Sequence, residues 1–334
     1  MPRLEHVIYW NSKGLRTYKQ AFLRRFDEME TSGAEDTAKQ LERTIANGQA
    51  SDVAVVCYDA SGQLSGAMLS HANLLAAVDN LLAIDPVQSG DNYLSFLPSG
   101  SITEQTLGLT ASLRTGQVVN FPEEPETVPD DLREIGPRMM LAAPRLWESW
   151  AAQVEVKTRA AGWLKRRVFE WGMRTGYVTQ RTVWSRLQHA LAERLVFAPL
   201  RDQLGLSRLR RAYSYGQAIE PDTLRFFRAL GVNLKRAYGQ TDMGGLAVVE
   251  RDGETVGRLL PNTERRISED DVVLLCSGAV FLGYYKDPEA TARALKDDWL
   301  RSGDAGVLDA SEHHVVLGRI RHSIGETHGL PLAA

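Results

Sequence analysis

The sequence has few cysteines, no long apolar run and no excess of charge of one sign, and each absence excludes a class of protein. Only two of the 334 residues are cysteine, Cys57 and Cys276, too few for a disulfide framework or a structural zinc site. No apolar run reaches the roughly 18 residues that a membrane-spanning helix needs. The N-terminal residues MPRLEHVIYW show no basic region followed by an apolar stretch, as a signal peptide would. We therefore expect a cytoplasmic protein.

The composition is that of an ordinary globular protein. With 43% hydrophobic and 24% charged residues, the sequence matches neither a disordered chain nor collagen nor a coiled coil. At roughly 150 residues per domain, the length predicts about two domains. The 39 Lys and Arg against 42 Asp and Glu give a net charge of −3. This near-balance hides a basic segment, because residues 157–211 hold thirteen basic and three acidic residues, which leaves −13 for the rest of the chain.

Apolar residues recur at helical spacing through this basic helical segment (150–211). They are Trp163, Leu164, Val168, Phe169, Trp171, Leu187, Leu191, Leu195 and Val196. The spacing predicts amphipathic helices with apolar inner faces and basic outer faces. Such an outer face is either a solvated surface, which is the interpretation we favour, or a site of peripheral contact with phosphate or an anionic membrane. The acidic remainder of the chain argues against nucleic acid as a partner.

Short apolar runs alternate with helical patterns between residues 53 and 145. This β-α-β-α order predicts an α/β fold, a mostly parallel sheet with flanking helices. The continuous apolar run Val53–Cys57 is typical of a buried parallel strand, and a small-residue loop and a helix over Ser70–Leu82 follow it. Strand, glycine-containing loop and helix is the order of a phosphate-binding unit. Further strands are predicted over residues 93–97, 118–121, 139–142, 210–215 and 233–237.

From Gly245 onwards, short strands separated by turn residues predict a small antiparallel β subdomain. The strands expected there are 246–249, 272–276, 307–308 and 315–317. The predicted organisation is an α/β core over 1–244 that includes the basic helical segment, a β-rich subdomain over 245–320 and a tail over 321–334.

The run Tyr238-Gly239-Gln240-Thr241-Asp242 follows a predicted strand directly. It therefore lies at a carboxyl edge of the sheet, where open α/β sheets bind ligands. A ring on which a base can stack, a hydroxyl for phosphate oxygens and a carboxylate for Mg²⁺ would together suit a nucleotide. Taken alone the run is a weak signal, because a plain turn explains it equally well.

Four further motifs occur in order around this run. They are Ser214-Tyr215-Gly216-Gln217-Ala218, Gly283-Tyr284-Tyr285-Lys286-Asp287-Pro288-Glu289-Ala290-Thr291, Gly303-Asp304 and Gly318-Arg319. With them the sequence resembles the adenylate-forming superfamily of AMP-dependent synthetases and ligases, and within it the long-chain fatty acyl-CoA synthetases. The resemblance runs from about His6 to Arg319 and implies part of the large-domain fold of an acyl-CoA synthetase.

The resemblance also implies a reaction in two steps. A fatty acid or other carboxylate attacks the α-phosphate of ATP to give an acyl-adenylate and pyrophosphate, and the thiol of CoA then displaces AMP. ATP or AMP, Mg²⁺ and CoA are the implied cofactors. In the implied site Gly216, Gln217 and Ala218 lie along the adenine, Tyr238 stacks on it, and Gly239 is a further residue that binds the nucleotide. Thr241 binds a phosphate, Asp242 binds Mg²⁺, and Asp304 binds the ribose hydroxyls. Arg319 contacts ribose or phosphate, His71 lies near the acyl and phosphate end, and Ser61 and Gly62 belong to the phosphate loop.

Three departures from the family pattern lead us to expect weak or impaired turnover. The run from Ser61-Gly62 to Ala67 is shorter than the family's phosphate loop and has no lysine. Asp242 stands where the family has glutamate, which is one methylene longer. Compared with the family the chain is short at both ends, and no C-terminal lid is expected after Arg319. Alternatives are a non-catalytic protein that binds AMP, acyl-adenylate or acyl-CoA, and an assembly role with a protein partner that completes the fold.

Overall fold

A computed structural model of the chain describes residues 5–11, 13, 20–30, 35–58, 65–178, 182–250, 257–308 and 314–319. It consists of two compact units, Met1–Asp52 and Val53–Ala334. No helix in the described ranges is long and apolar enough to span a membrane.

The strands are numbered in chain order. They are β1 (Val7–Tyr9), β2 (Leu23–Arg25), β3 (Val53–Tyr58), β4 (Gly66–Ser70), β5 (Asn92–Leu94), β6 (Val118–Asn120), β7 (Met139–Ala142), β8 (Arg211–Tyr215), β9 (Leu234–Tyr238), β10 (Val248–Glu250), β11 (Gly257–Leu259), β12 (Thr263–Ile267), β13 (Val272–Ser277), β14 (Gly283–Tyr284), β15 (Leu295–Lys296), β16 (Trp299–Leu308) and β17 (His314–Arg319).

The helices are numbered in the same way. They are α1 (Phe26–Glu30), α2 (Glu35–Asn47), α3 (His71–Leu82), α4 (Ile102–Glu104), α5 (Ala111–Thr115), α6 (Val128–Ile135), α7 (Pro144–Ala160), α8 (Trp163–Tyr177), α9 (Val183–Ala192), α10 (Ala198–Gln203), α11 (Pro221–Ala229) and α12 (Pro288–Ala294). A π-helical turn (Gln105–Thr110) joins α4 to α5, and another (Glu193–Phe197) joins α9 to α10.

The first unit contains β1, β2, α1 and α2, with β1 and β2 paired in parallel. The second unit is built around a seven-stranded sheet in the order β11-β10-β9-β8-β7-β5-β6. The five strands β6, β5, β7, β8 and β9, in this order across the sheet, are parallel. Strands β10 and β11 are antiparallel additions at one edge. The prediction of an α/β fold with a mostly parallel sheet is therefore confirmed.

Strand β7 shows why this sheet is covered on both faces. All four of its residues are buried. Met140 and Ala142 pack into a cluster with residues of α7, α8 and α11, whereas Met139 and Leu141 pack on the opposite face with Leu81 of α3. Alternate side chains of a strand point to opposite faces, so a run with no polar residue requires helices on both sides.

Two smaller sheets are antiparallel. One has the order β12-β13-β16-β15, with β17 paired to β16, and the other has the order β14-β4-β3. The expected small antiparallel subdomain includes β13, which begins at Val272, and the antiparallel hairpin β16–β17. The predicted strand at 246–249 differs, because β10 pairs antiparallel with β9, Val248 opposite Tyr238, and extends the central sheet.

The prediction for Val53–Cys57 is wrong. The segment forms β3, which pairs antiparallel with β4 instead of entering the parallel sheet. Val53 and Val56 are exposed and Cys57 is buried. The apolar pattern is the same for a strand covered on both faces and for a hairpin strand, so it could not separate them. Strand β4 also stands between the loop and α3, so the expected strand–loop–helix unit is not formed.

The basic helical segment is helical as predicted, but only some of the apolar residues predicted to face inward do so. Val168, Phe169 and Trp171 pack against the core, and Val196 is buried. The other predicted inner positions are exposed: Trp163, Leu164, Leu187, Leu191 and Leu195. A Cβ on Gly172 of α8 would lie 2.7 Å from Cγ2 of Val196, so the segments approach through small residues.

Candidate functional site

The loops after β8 and β9 meet at the carboxyl edge of the central sheet. The two strands are parallel neighbours, with Tyr215 opposite Ala237, so their carboxyl ends lie side by side. The loop after β8 begins at Gly216, which has φ +100°, and residues 216–218 are exposed. The Tyr215 hydroxyl donates to the carbonyl oxygen of Gly239 in the other loop, at 3.3 Å. The backbone of Gly216, Gln217 and Ala218 is thus open to a ligand beside the turn that follows β9.

The turn after β9 is sharp because two stretches of its backbone nearly touch. A Cβ on Gly239 would lie 1.9 Å from the carbonyl oxygen of Gly245, so no other residue fits there without moving the turn. Thr241–Met243 forms a single helical turn that ends at Gly244, whose φ is +65°. The hydroxyl of Thr106 donates to the Gly244 carbonyl at 2.7 Å and ties the turn to the helices below.

A hydrogen-bonded cluster joins this turn to strand β16. The Tyr238 hydroxyl donates to Oδ2 of Asp304 at 2.5 Å, and the Gln240 amide donates to the same oxygen at 2.7 Å. The Gln240 amide nitrogen also lies within hydrogen-bond distance of the Tyr238 hydroxyl oxygen and the Ser302 carbonyl oxygen, so its two hydrogens are shared among three acceptors. Asp304 is buried. Gln240, to which the sequence motif assigned no role, thus contacts both members of the Tyr238–Asp304 pair.

Burial and charge fix the protonation of Tyr238. Removal from water raises the pKa of its phenol far above the ordinary value, and the negative charge of Asp304 together with the hydrogen bond to it raises the pKa further. The phenol therefore keeps its proton at every physiological pH. It remains a donor to Asp304 and presents a neutral ring at the edge of the sheet.

Asp242 is held by the neighbouring small sheet. Tyr284 of β14 donates its hydroxyl to Oδ2 of Asp242 at 2.6 Å, and the backbone N–H of Phe281 donates to the Asp242 carbonyl oxygen at 2.9 Å. Tyr284 is a second residue to which sequence reasoning gave no role, although it lies inside the downstream motif. Because β14 pairs with β4, Asp242 is fixed against the β3–β4 hairpin as well.

A cleft of about 1010 Å³ opens beside these residues. Gln240, Thr241 and Asp242 line one side of it, and Gly303 lines it next to Asp304. Cationic side chains of Arg293 and Lys296 also line the cleft, and neither has a carboxylate within 4.0 Å among the described residues. The cleft therefore combines hydrogen-bonding groups with positive charge, which suits a phosphorylated ligand.

The remaining predicted site residues fall into three groups. Arg319 is brought opposite Asp304 by the pairing of β17 with β16, and its side chain lies outside the described residues, as do Ser61 and Gly62. His71 is the exposed first residue of α3 and is not among the described residues that line the cleft. Within the described part of the chain no three His, Cys, Asp or Glu residues are grouped to hold a metal.

Comparison with known proteins decides the family. The family model described as AMP-binding enzyme matches residues 12–285. The chain belongs to the AMP-binding enzyme family. Among curated members of this adenylate-forming family, fadD11 of Mycobacterium tuberculosis, named as a fatty-acid–CoA ligase, is 31% identical over 302 residues, which are 85% of this chain and 52% of the relative. The long-chain-fatty-acid–CoA ligase ACSBG2 of Mus musculus is 27% identical, covering 84% of this chain and 46% of the relative. Over the aligned residues the chain is thus similar to proteins named as fatty-acid–CoA ligases.

Solved structures of AMP-binding enzymes share the fold. The O-succinylbenzoate coenzyme A synthetase MenE of Bacillus subtilis, in complex with AMP, aligns with a TM-score of 0.62 at 16% identity, over 90% of this chain and 55% of that chain. Apo MatB of Rhodopseudomonas palustris aligns with a TM-score of 0.59 at 19% identity, over 82% and 49%. The chain spans about half the length of the curated relatives it matches.

Proposed function

We propose that this AMP-binding enzyme binds an adenine nucleotide at the carboxyl edge of the central sheet. The hydrogen-bonded cluster of Tyr238, Gln240 and Asp304 is the observation that carries the proposal. The adenine would lie between the exposed backbone of residues 216–218 and the neutral ring of Tyr238. The carboxylate of Asp304 would accept hydrogen bonds from the ribose hydroxyls, because an ionised carboxylate only accepts.

The phosphates would extend into the cleft. The Thr241 hydroxyl would donate to a phosphate oxygen, and Arg293 and Lys296 would supply positive charge along the cleft wall. Asp242, with oxygen ligands of the kind Mg²⁺ prefers, would hold the ion against the phosphates. Bound there, Mg²⁺ would neutralise negative charge that develops on the phosphate oxygens.

We propose further that the reaction is the activation of a fatty acid as acyl-adenylate and the transfer of the acyl group to CoA. The names of the curated relatives support this substrate class. We expect low turnover, and one contact of Asp242 supports this expectation. Its Oδ2 already accepts a hydrogen bond from Tyr284, which competes with a metal for that oxygen. A second candidate function, the binding of AMP or acyl-adenylate without turnover, is favoured by the same contact.

Titration calorimetry with AMP tests the binding site. The wild-type protein should release heat on AMP addition, and Asp304→Asn should weaken AMP binding by roughly 10- to 100-fold, since a hydrogen bond to a charged group contributes about 1.5–3 kcal/mol. Asp222→Asn is the matched control, because Asp222 is a highly exposed carboxylate on α11. Absence of heat from the folded wild-type protein would reject the proposed site.

Pyrophosphate release tests turnover separately. With ATP, Mg²⁺ and a long-chain fatty acid, the wild-type protein should release pyrophosphate slowly but above a boiled control. Tyr284→Phe keeps the ring and removes the hydroxyl, so the freed Asp242 should increase the rate. If AMP binds but neither protein releases pyrophosphate, the non-catalytic function replaces turnover. A rate that Tyr284→Phe leaves unchanged would contradict the competition between Tyr284 and the metal.

A further inference from the structure

Helix α9 carries an apolar stripe on its outer side. Trp184, Leu187, Leu191 and, in the following turn, Leu195 are spaced three or four residues apart and so share one face of the helix. Their exposed fractions are 69%, 60%, 51% and 52%. The side turned to the core carries the small residue Ala192, which is fully buried. An amphipathic helix of a globular protein normally has the reverse arrangement, so this stripe is a candidate interaction surface.

The start of α8 adds two more exposed apolar side chains. Trp163 is 72% exposed and Leu164 is 60% exposed, and α8 packs against α9. We use the name apolar face for the six residues Trp163, Leu164, Trp184, Leu187, Leu191 and Leu195. Exposed single apolar residues are common on proteins, but here two tryptophans and four leucines are exposed on two packed helices and the turn that follows α9.

Exposed cations occur in the same helical segment as the apolar face. Lys165, Arg166 and Arg167 follow Leu164 directly and are exposed. Arg186 and Arg194 are exposed on α9 and on the turn after it. Over the ranges that the structure describes, none of these five cations has a carboxylate within 4.0 Å. Their charge is therefore not neutralised by any carboxylate in the described ranges.

We propose that the apolar face and its cations form a docking site for an anionic lipid bilayer, with α9 lying in the plane of the membrane surface. An anionic bilayer offers both chemistries at once, negative headgroups for the cations and an apolar phase for leucine side chains. Tryptophan is enriched at the boundary between these two phases. A protein groove would satisfy the apolar stripe, but the unpaired cations favour a partner with a dense negative surface. The site lies on other elements than the nucleotide cleft and does not depend on nucleotide binding.

Vesicle co-sedimentation with the full chain tests the proposal. The protein should bind vesicles of phosphatidylcholine mixed with phosphatidylglycerol more tightly than vesicles of phosphatidylcholine alone, and added salt should weaken binding to the mixed vesicles. Binding should also shift the tryptophan fluorescence to shorter wavelength as Trp163 and Trp184 leave water. Equal affinity for both kinds of vesicle, or no affinity for either, would overturn the proposal.

Two variants and two matched controls locate the site. Leu187→Ser with Leu191→Ser should weaken binding to the mixed vesicles at least tenfold, because two apolar side chains no longer enter the bilayer. Lys165→Gln with Arg166→Gln should weaken it by about 25-fold, or about fivefold for each cation. Leu113→Ser on α5 and Arg225→Gln on α11, both at exposed residues, should bind as the wild type does.

The variants change exposed side chains, so their thermal melts should match that of the wild type. If a folded double variant binds the mixed vesicles as tightly as the wild type, the apolar face is not the docking site. If sedimentation shows a dimer that both double variants dissociate, and no vesicle binding is seen, self-association takes the place of membrane docking and the proposal is wrong.

Discussion

The close approach of backbone at Gly239 makes a strong prediction about the turn that forms the candidate site. In Gly239→Ala the added methyl group would start 1.9 Å from the Gly245 carbonyl oxygen and 2.7 Å from the Cα of Leu246. Both neighbours are backbone atoms, so no side-chain rotation relieves the overlap. The segment 241–245 would have to move away by more than about 1 Å to restore ordinary van der Waals contact.

Gly239→Ala should therefore lower the free energy of unfolding by about 3 kcal/mol, the upper end of the range for overpacked substitutions. For a unit of this size the melting temperature would fall by roughly 6–12 °C. Gly100→Ala is the matched control, because a Cβ on Gly100 meets nothing within 4 Å, and this variant should melt within about 2 °C of the wild type.

Circular dichroism melts measure the stability loss, and calorimetry with AMP on the folded variant measures the loss at the site. The displaced turn also carries Thr241 and Asp242, so AMP binding should weaken in Gly239→Ala and stay unchanged in Gly100→Ala. If Gly239→Ala melts and binds AMP as the wild type does, the backbone contact does not exist in solution and the described site geometry is wrong.

Three further predictions concern buried polar side chains of the second unit. Thr106→Val should lose about 1 kcal/mol of unfolding free energy in urea titrations, because the Gly244 carbonyl loses its 2.7 Å hydrogen bond; no loss would show that this tie is not formed. Lys235→Met should cost about 3 kcal/mol, because the ammonium 2.8 Å from the buried Asp85 carboxylate is removed, and a neutral result would contradict the buried ion pair. Burial raises the pKa of the Glu104 carboxyl in the folded protein above 4.5. As the pH rises, this carboxyl loses its proton in the unfolded chain first, so the free energy of unfolding falls. Wild type should therefore lose stability relative to Glu104→Gln between pH 4.5 and neutral pH, and a pH-independent difference between the two would refute this.

The sequence predicted a strand of the central sheet correctly where an apolar run could be buried in only one way. Strand β7 was predicted over residues 139–142 and found there, because four consecutive apolar residues next to a helical segment need cover on both faces. The same reasoning failed for Val53–Cys57, where an equally apolar run forms an exposed hairpin strand. Which of the two occurs depends on strand pairing far along the chain, and local pattern holds no information about that pairing.

Part of the candidate site could also be predicted from the sequence. Tyr238, Thr241 and Asp242 could be placed at the carboxyl edge because they directly follow a strand. The roles of Gln240 and Tyr284 could not be predicted, because each depends on a hydrogen bond to a residue at least 42 positions away. The outward apolar stripe of α9 was missed for a related reason. Helical spacing shows that a face is apolar, and only packing decides which way it points.

Photolabelling with 8-azido-AMP tests the central claim most directly, because the reactive group sits on the adenine itself. Trypsin should release labelled peptides 212–225 and 237–251, which hold the exposed loop after β8 and the turn containing Tyr238. Excess AMP should abolish the labelling. Label confined to other peptides, with these two unmodified, would contradict an adenine site at the carboxyl edge of the central sheet.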